Sequence, residues 1–481
     1  MQLEFTIASP GSGRPAVDVA VQAPTGATLS SVLDRLRSCT GFDGPVYVGQ
    51  SLLPAQAPLG RPPLTTGAVL AIGRAAPAPT RPPALLQLRV VGGPDAGGVH
   101  RLPRGEHLVG RAADAAISIR DPDVSRSHAV LSVDADAVTV RDAGSTNGTA
   151  IDGQQVAGAP GPLTAGALLQ IGESTLCLAG PDEPPTPLRP DGQGHLEVNR
   201  PPRLLRMPPQ VAIDVPDEPS AIGRSAFPLL AVVVPLVFGA VMVRLMHSWT
   251  FALFMLLSPL LLATNAVSDR VTGRRNERRA RTEHRRASAA VAARTDQALA
   301  AEAAQRRTEF PDAAALLQAV SGPLPRLWER RGGDVDALVL RLGTGDLPAR
   351  LTVGSPSSDT PRQHPDVAAV PVTISLREVG VLGLTGPVEQ VAGMARFLVG
   401  QLAGLHSPRQ LDLVLLCASD SDRAASWRWA RWLPHLRDPA GGRATLRLGL
   451  TPAQTGIRIA ECTGLLDARQ LAGPGRGWLG R

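Results

Sequence analysis

Three short segments between residues 110 and 149 carry side chains that could hold a phosphate group. They are Gly110-Arg111, then Ser125-Arg126-Ser127-His128, then the sequence GSTNGT at 144–149. A phosphate dianion needs a bidentate guanidinium together with hydroxyl or backbone N–H donors. Arg111 and Ser125 are placed to supply the first two, and the backbone of Arg126 adds an N–H. The pattern therefore predicts a site that binds a phosphorylated ligand by charge and hydrogen bonds.

The order of these three segments resembles that of the forkhead-associated (FHA) domain. The resemblance implies that Asn147 grips the main chain of a bound peptide beside its phosphothreonine, with Thr146 flanking it. It also implies structural roles for Gly110, for Gly148 at a turn with positive φ, and for His128, which props the loop that bears Ser125. The alternative is an FHA fold that no longer binds phosphopeptides.

The elements around these segments fit that resemblance. Residues 84–180 contain many short alternating apolar segments punctuated by turn residues, which is typical of an all-β sandwich. Residues 1–75 read as strand–strand–helix–strand–strand and predict a separate ubiquitin-like β-grasp domain, with a degenerate FHA-like domain as the alternative. Pro-rich linkers are expected at 76–83 and at 181–224.

Two uncharged apolar runs at 225–268 predict a transmembrane hairpin, with helices at 227–246 and 249–267. Arginines from Arg270 to Arg286 follow directly, and such an excess marks the cytoplasmic side of a membrane span. The expectation is a multi-pass plasma-membrane protein whose N- and C-terminal parts are both cytoplasmic. The same arginines would bind anionic lipid, which explains the net charge of +7 without invoking nucleic acid.

Residues 269–308 are rich in Ala, Arg and Glu and predict a basic helical stalk. Strand and helix patterns then alternate over 309–481 and predict an α/β domain with a parallel sheet. A buried strand is expected to begin at Val379 and to run into Gly383 and Gly386 at a helix N-terminus, the position of a phosphate loop. The sequence there lacks GxxxxGK[ST], and the whole chain has no lysine, so the glycines predict a degenerate phosphate loop.

No catalytic residue and no metal ligand set can be named from the sequence. Cys39, Cys177, Cys417 and Cys462 are far apart and have no CxxC spacing, which favours reduced thiols. Neither ATP hydrolysis nor a bound cofactor is expected from this chain.

Several segments after residue 326 resemble type VII secretion ATPases of the EccC/EssC class in the FtsK/SpoIIIE superfamily. They include LWERR at 327–331, VPVTISL at 370–376 and WRWARWLPH at 427–435. The resemblance implies the N-terminal portion of such an ATPase, with a degenerate nucleotide-fold domain here and ATP and Mg²⁺ used by motor domains of a full-length parent. It also implies a phosphothreonine-containing protein, other membrane components of a secretion complex and further copies of this chain as partners. The alternatives are a stand-alone membrane FHA adaptor in Ser/Thr-kinase signalling and part of an FtsK-like DNA translocase.

Overall fold

The computed structural model describes residues 1–76, 86–135, 137–181, 185–190, 195–203, 211–217, 229–246, 250–322, 324–355, 361–417, 424–437 and 446–471. The expected linker at 76–83 lies almost wholly outside the described residues, as do large parts of the linker at 181–224. The chain divides into two compact units. The first joins 1–205, 307–343 and 371–481, and the second joins 206–306 and 344–370.

The N-terminal part of the first unit is a mixed five-stranded sheet with one helix. The elements are β1 (Gln2–Ala8), β2 (Val17–Gln22), α1 (Leu29–Thr40), β3 (Val46–Val48), β4 (Ser51–Leu52) and β5 (Val69–Ile72). The strand order is β2-β1-β5-β3-β4, with β1 and β5 parallel at the centre. Helix α1 buries Leu29, Val32 and Leu36, and it ends at Gly41 with a φ of 67°. This is the strand order and single helix of a β-grasp sheet.

Residues 86–179 form an FHA-like β-sandwich. Its strands are β6 (Leu86–Gly92), β7 (Val99–Leu102), β8 (Gly105–Gly110), β9 (Ile117–Ser118), β10 (Ala129–Val133), β11 (Val138–Asp142), β12 (Thr149–Ile151), β13 (Gln154–Gln155), β14 (Gly161–Pro162), β15 (Leu168–Ile171) and β16 (Ser174–Ala179). One sheet has the order β14-β11-β10-β8-β9 and the other β13-β12-β15-β16-β6-β7. Alternate residues point inward, so Leu131 and Leu176 reach zero exposure between the sheets.

The strand register brings the phosphate-site segments to one end of the sandwich. Ala129, at the start of β10, pairs with Val109 near the end of β8 and with Asp142 at the end of β11. Strand β12 of the opposite sheet begins at Thr149, directly after the third segment. The three loops therefore meet above the same edge of the core.

The prediction of a multi-pass membrane protein with a transmembrane hairpin at 227–246 and 249–267 is wrong for the described residues. Helices α2 (Leu229–Met246) and α3 (Thr250–Glu309) are present, yet no helix in the described part of the chain is both long and apolar enough to cross a membrane. In α3 the continuously described side chains begin at Arg275 and are rich in charge, which a hydrocarbon core would exclude.

Helix α3 runs without interruption through the residues expected to form a stalk. Within the second unit it packs on a short parallel pair, β19 (Ala212–Asp214) and β21 (Thr352–Gly354). Ile213, Leu351 and Val367 are buried in this small core. Glu302 on α3 accepts the Arg350 N–H at 3.0 Å, so the helix is tied to the strand side of the unit.

The remaining elements form short pairs and helices in place of one continuous parallel sheet. The strands are β17 (Leu188–Pro190), β18 (Leu196–Val198), β20 (Val339–Pro348), β22 (Asp366–Ser375), β23 (Leu415–Leu416) and β24 (Leu448–Gly449), with β23 and β24 parallel. The helices are α4 (Ala313–Ser321), α5 (Leu376–Val379), α6 (Val388–Leu405) and α7 (Pro452–Leu471), with 3-10 helices at Arg428–Trp432 and Pro434–Leu436. A buried strand was expected to begin at Val379. The structure instead has the short helix α5 there, followed by an exposed loop in which Val381 is 87% exposed.

Helix α4 joins the FHA-like sandwich to the α/β elements of the first unit. Asp312 caps it by accepting the Ala315 N–H at 2.8 Å. Gln318 Nε2 donates to Gln87 Oε1 at 2.6 Å, and Gln87 is 3% exposed on strand β6. Gln87 Nε2 also donates to Gly180 O at 2.9 Å. The Gln87 side chain therefore hydrogen-bonds both to the sandwich and to helix α4.

Candidate functional site

Gly110 lets the first two segments approach each other closely. A Cβ at this position would lie 2.0 Å from Arg126 O, which only glycine avoids. The approach is fixed by backbone hydrogen bonds from the Arg111 N–H to Ser125 O at 2.9 Å and from the Ala112 N–H to Arg126 O at 3.2 Å. Arg111 thus lies directly beside Ser125.

Buried His128 joins the second segment to the third. Its Nδ1 accepts the Ser125 N–H at 3.1 Å, so its Nε2 carries the proton and donates to Gly148 O at 3.0 Å. The side chain has zero exposure, and this neutral tautomer satisfies both ring nitrogens. Gly148 itself has a φ of 77°, which a residue with a side chain rarely adopts.

The groups expected to touch a phosphate converge at the surface. Ser125 Oγ accepts the Thr146 N–H at 3.1 Å and lies 3.4 Å from Thr146 Oγ1. Arg111 is exposed, and only its Nε is engaged among the described residues, donating to Val124 O at 3.2 Å. Within the same part of the chain the Arg126 N–H has no hydrogen-bond partner. Two guanidinium nitrogens, two hydroxyls and a backbone donor therefore face solvent together.

Asn147 is exposed at the edge of this group. Its Nδ2 donates to Asp123 O at 2.9 Å, which leaves its carbonyl oxygen facing solvent. The structure thus brings together all five residues predicted to bind the phosphopeptide, which are Arg111, Ser125, Arg126, Thr146 and Asn147, with Gly110, His128 and Gly148 beneath them.

Sequence reasoning missed Asp142, which orders the third segment. Its Oδ2 accepts the N–H groups of Gly144 and Ser145 at 2.9 Å, and its Oδ1 accepts the hydroxyls of Ser145 and Thr149 at 2.6 Å. Burial acts to raise the pKa of Asp142, but these hydrogen bonds outweigh it and lower the pKa to about 2. An Asp two residues before a Gly-Ser pair could have been recognised as an Asx-type turn residue.

Gly383 and Gly386 lie in an exposed loop before α6. A Cβ on Gly383 would meet no atom within 4 Å, so glycine is not required there by space. Pro387 precedes the helix without a side-chain cap, and the chain has no lysine that could reach a phosphate. The described residues also contain no group of three or more His, Cys, Asp or Glu side chains that could hold a metal ion.

Comparison with known proteins gives matches to a family model, to secretion proteins and to solved structures. Residues 89–182 match the family described as the inner membrane component of T3SS, cytoplasmic domain. The ESX-4 secretion system protein EccC4 of Mycobacterium tuberculosis is 34% identical over 191 residues, which are 37% of this chain and 15% of that protein. The ESX secretion system protein EccC of Thermomonospora curvata is 37% identical over 132 residues, covering 24% of this chain and 10% of that protein.

A solved structure from work on phosphothreonine-dependent FHA domain interactions aligns with 26% identity and a TM-score of 0.19, covering 20% of this chain and 98% of that one. The FHA domain of the CT664 protein from Chlamydia trachomatis gives the same identity and TM-score, with 97% of its length covered. This chain thus spans only a small part of the length of its curated relatives. The chain thus contains an FHA-like sandwich and is similar to EccC proteins over a small part of their length.

Proposed function

We propose that the sandwich loops bind phosphothreonine peptides and thereby recruit phosphorylated partners to a type VII secretion component. The observation that carries this is the convergence of Arg111, Ser125 Oγ and the Thr146 N–H at one exposed point, above a buried His128 that fixes their spacing. Hydrogen bonds of Ser125, His128 and Gly148 already order the loops without a ligand, so binding does not have to include the cost of ordering them.

Each residue has a distinct part in this mechanism. The Arg111 guanidinium forms a charge-assisted, bidentate contact with two phosphate oxygens. Ser125 and the Arg126 N–H donate to the remaining oxygen, and Thr146 lies beside them. Asn147 uses its free carbonyl oxygen to accept a main-chain N–H of the peptide, which places the phosphorylated residue over Arg111.

The secretion role rests on similarity to the EccC proteins, which this chain covers only in part. Within this portion we propose assembly and recruitment without motor activity, and without a cofactor, because the lysine that a Walker A phosphate loop requires does not occur in the sequence. Further copies of this chain and other components of a secretion complex are the partners that this role implies.

The binding experiment is a titration of the full 481-residue chain with one peptide in phosphothreonine and threonine forms. We expect affinity only for the phosphorylated form. Arg111→Ala should weaken it by about 10- to 100-fold, since a hydrogen bond to a charged group contributes about 1.5–3 kcal/mol. Arg141→Ala is the matched control because Arg141 is also exposed but lies on β11, outside the loops. Equal affinity for both peptide forms would contradict phosphothreonine binding and would leave the domain with a structural role only.

The secretion role is tested by replacing the gene with the Arg111→Ala form and comparing the proteins in the culture medium. Loss of secreted proteins on deletion, and a partial loss with Arg111→Ala, would support recruitment through the phosphate site. An unchanged set of secreted proteins after deletion would contradict the secretion role. An ATPase assay on the purified chain should give no turnover above that of buffer.

A further inference from the structure

Two exposed acidic residues lie near Asn147 at the edge of the loops. Asp123 is the nearer one, because its carbonyl oxygen accepts the Asn147 Nδ2 hydrogen bond at 2.9 Å. Glu173 lies in the turn between β15 and β16, which reaches the same edge of the sandwich. Both side chains are exposed.

A buried carboxylate holds these two residues together. Asp121 has zero exposure, and its Oδ1 accepts the Asp123 N–H at 2.9 Å. Its Oδ2 accepts the Glu173 N–H at 3.0 Å and the Ser174 hydroxyl at 2.7 Å. One carboxyl group therefore binds both backbones, so Asp123 and Glu173 are neighbours although they are far apart in sequence.

Close packing of the turn reinforces this placement. A Cβ on Gly172 would lie 2.9 Å from the carbonyl carbon of Asp123, and Gly172 has a φ of 56°. The turn that carries Glu173 thus rests directly on the segment that carries Asp123. The two exposed carboxylates have a fixed position relative to the phosphate-site loops.

Neither carboxylate has a cationic partner among the described residues. Asp95 gives the contrast within the same sandwich, because Arg120 pairs with it at 2.7 Å. Arg111 and Arg126 are exposed on the neighbouring loops, so the surface is cationic where the phosphate would bind and anionic beyond Asn147. A ligand that crosses from one region to the other meets opposite charges in turn.

We propose that Asp123 and Glu173 select phosphothreonine peptides that carry Arg or Lys on the Asn147 side of the phosphothreonine. This inference rests on the proposed function, since it assigns a sequence preference to the same site. With the phosphate on Arg111 and the peptide main chain on Asn147, the next side chains pass over the acidic pair. A basic side chain there gains an ion pair, and an acidic one is repelled.

The test is a positional scan of phosphothreonine peptides against the full chain, measured by fluorescence anisotropy at low salt. Each position flanking the phosphothreonine is alanine, arginine or glutamate in turn. We expect arginine to bind about two- to fivefold more tightly than alanine at positions on one side only, and glutamate more weakly, as for exposed ion pairs. The preference should shrink as salt is added.

Two variants assign the preference to residues. The double variant Asp123→Asn with Glu173→Gln should abolish the arginine preference, because it removes both charges and leaves the backbone contacts to Asp121 available. Asp114→Asn is the matched control, since Asp114 is an equally exposed acid on the loop that follows Arg111. An arginine preference that survives the double variant, or that Asp114→Asn removes, overturns the assignment.

The outcomes separate this inference from the proposed function. If binding requires the phosphate and Arg111 but does not depend on the charge of the flanking residues, only the role of Asp123 and Glu173 is overturned. Equal binding of phosphorylated and unphosphorylated peptides overturns both.

Discussion

Asp142 Oδ1 accepts a 2.6 Å hydrogen bond from Thr149 Oγ1, and this bond closes the loop that presents Thr146 and Asn147. The two residues are the last of β11 and the first of β12, so the bond links one sheet of the sandwich to the other. Thr149 has zero exposure, so its hydroxyl would have no water to replace this partner. The Asp142 carboxylate and the His128 ring therefore hold the recognition loop from below.

Replacing Asp142 by Asn should weaken phosphopeptide binding and lower the stability of the sandwich. The charge-assisted bonds to two N–H groups and two hydroxyls would be lost or weakened, at a cost of about 1–3 kcal/mol. Peptide titration gives the first effect, and hydrogen exchange of the Gly144 and Ser145 amides gives the second. Asp134→Asn is the control, because Asp134 is exposed at the opposite end of β10. Unchanged exchange in the Asp142 variant would contradict the role assigned to its carboxylate.

Replacing Gly110 by Ala should abolish phosphopeptide binding although it adds one methyl group. The new Cβ would overlap Arg126 O, so the segment carrying Ser125 must move away from Arg111. Overpacking of this kind costs about 1–3 kcal/mol, and the displaced donors no longer converge. Peptide titration and thermal unfolding measure the two effects. Gly180→Ala should be silent, because a Cβ there meets no atom within 4 Å.

Buried His406 should make the first unit lose stability in mild acid. Its Nδ1 donates to Leu402 O at 3.1 Å and its Nε2 accepts the Leu338 N–H at 3.3 Å, so the folded ring is neutral. Burial, with nearby Arg330, lowers the pKa of His406 to about 4. The unfolded chain binds a proton at about pH 6.5, so stability is full above that value and falls as the pH drops toward about 4.

The measurement is hydrogen exchange of the Leu338 amide at about pH 7 and about pH 5, after correction for the intrinsic rate. We expect weaker protection at the lower pH in the wild-type chain and a smaller change in His406→Gln. His284→Gln on helix α3 is the control, since that ring lies outside the first unit. Equal protection at both pH values would show that His406 does not titrate with folding.

Arg203 should anchor the chain after the sandwich to the α/β elements of the first unit. Its two terminal nitrogens donate to Asp336 Oδ1 and Oδ2 at 2.7 Å, and Asp334 lies 3.4 Å away. Arg203→Ala would remove the bidentate partner of Asp336 and leave it with Arg330, at 3.4 Å, so we expect a cost of about 1.5–3 kcal/mol from the lost charged hydrogen bonds. Limited proteolysis around residue 203 should accelerate in this variant. Arg189→Ala should have no effect, because Arg189 is exposed in β17, and equal cleavage of both variants would contradict the anchor.

Much of the phosphate-site geometry could be anticipated from residue types. Gly110, Ser125 and His128 have roles that follow from space and hydrogen-bonding capacity, and the structure places them accordingly. Asp121 could not be found by the same reasoning. Its carboxylate accepts hydrogen bonds from Glu173 and Ser174, which are far away in sequence, so its importance depends on a sandwich register that a single sequence does not reveal.

The predictions that failed relied on composition alone. An apolar run at 227–246 satisfies the length rule for a membrane span, yet the described residues give no helix that meets the requirement. The strand expected at Val379 also followed from an apolar pattern, and the structure has an exposed loop there because no neighbouring strand pairs with it among the described residues. The hydrophobicity of a segment does not determine which strand it pairs with, nor whether it lies in a membrane, in a protein core or at the surface. The domain boundaries and the lipid contact of Arg270 to Arg286 stay predictions.

The hydrogen bond between Gln318 and Gln87 has a mechanical consequence. It links helix α4 to an inner strand of the sandwich, so the sandwich contacts the α/β elements of the first unit through that helix. If the loops capture a partner as proposed, a force on that partner would reach the α/β elements through α4.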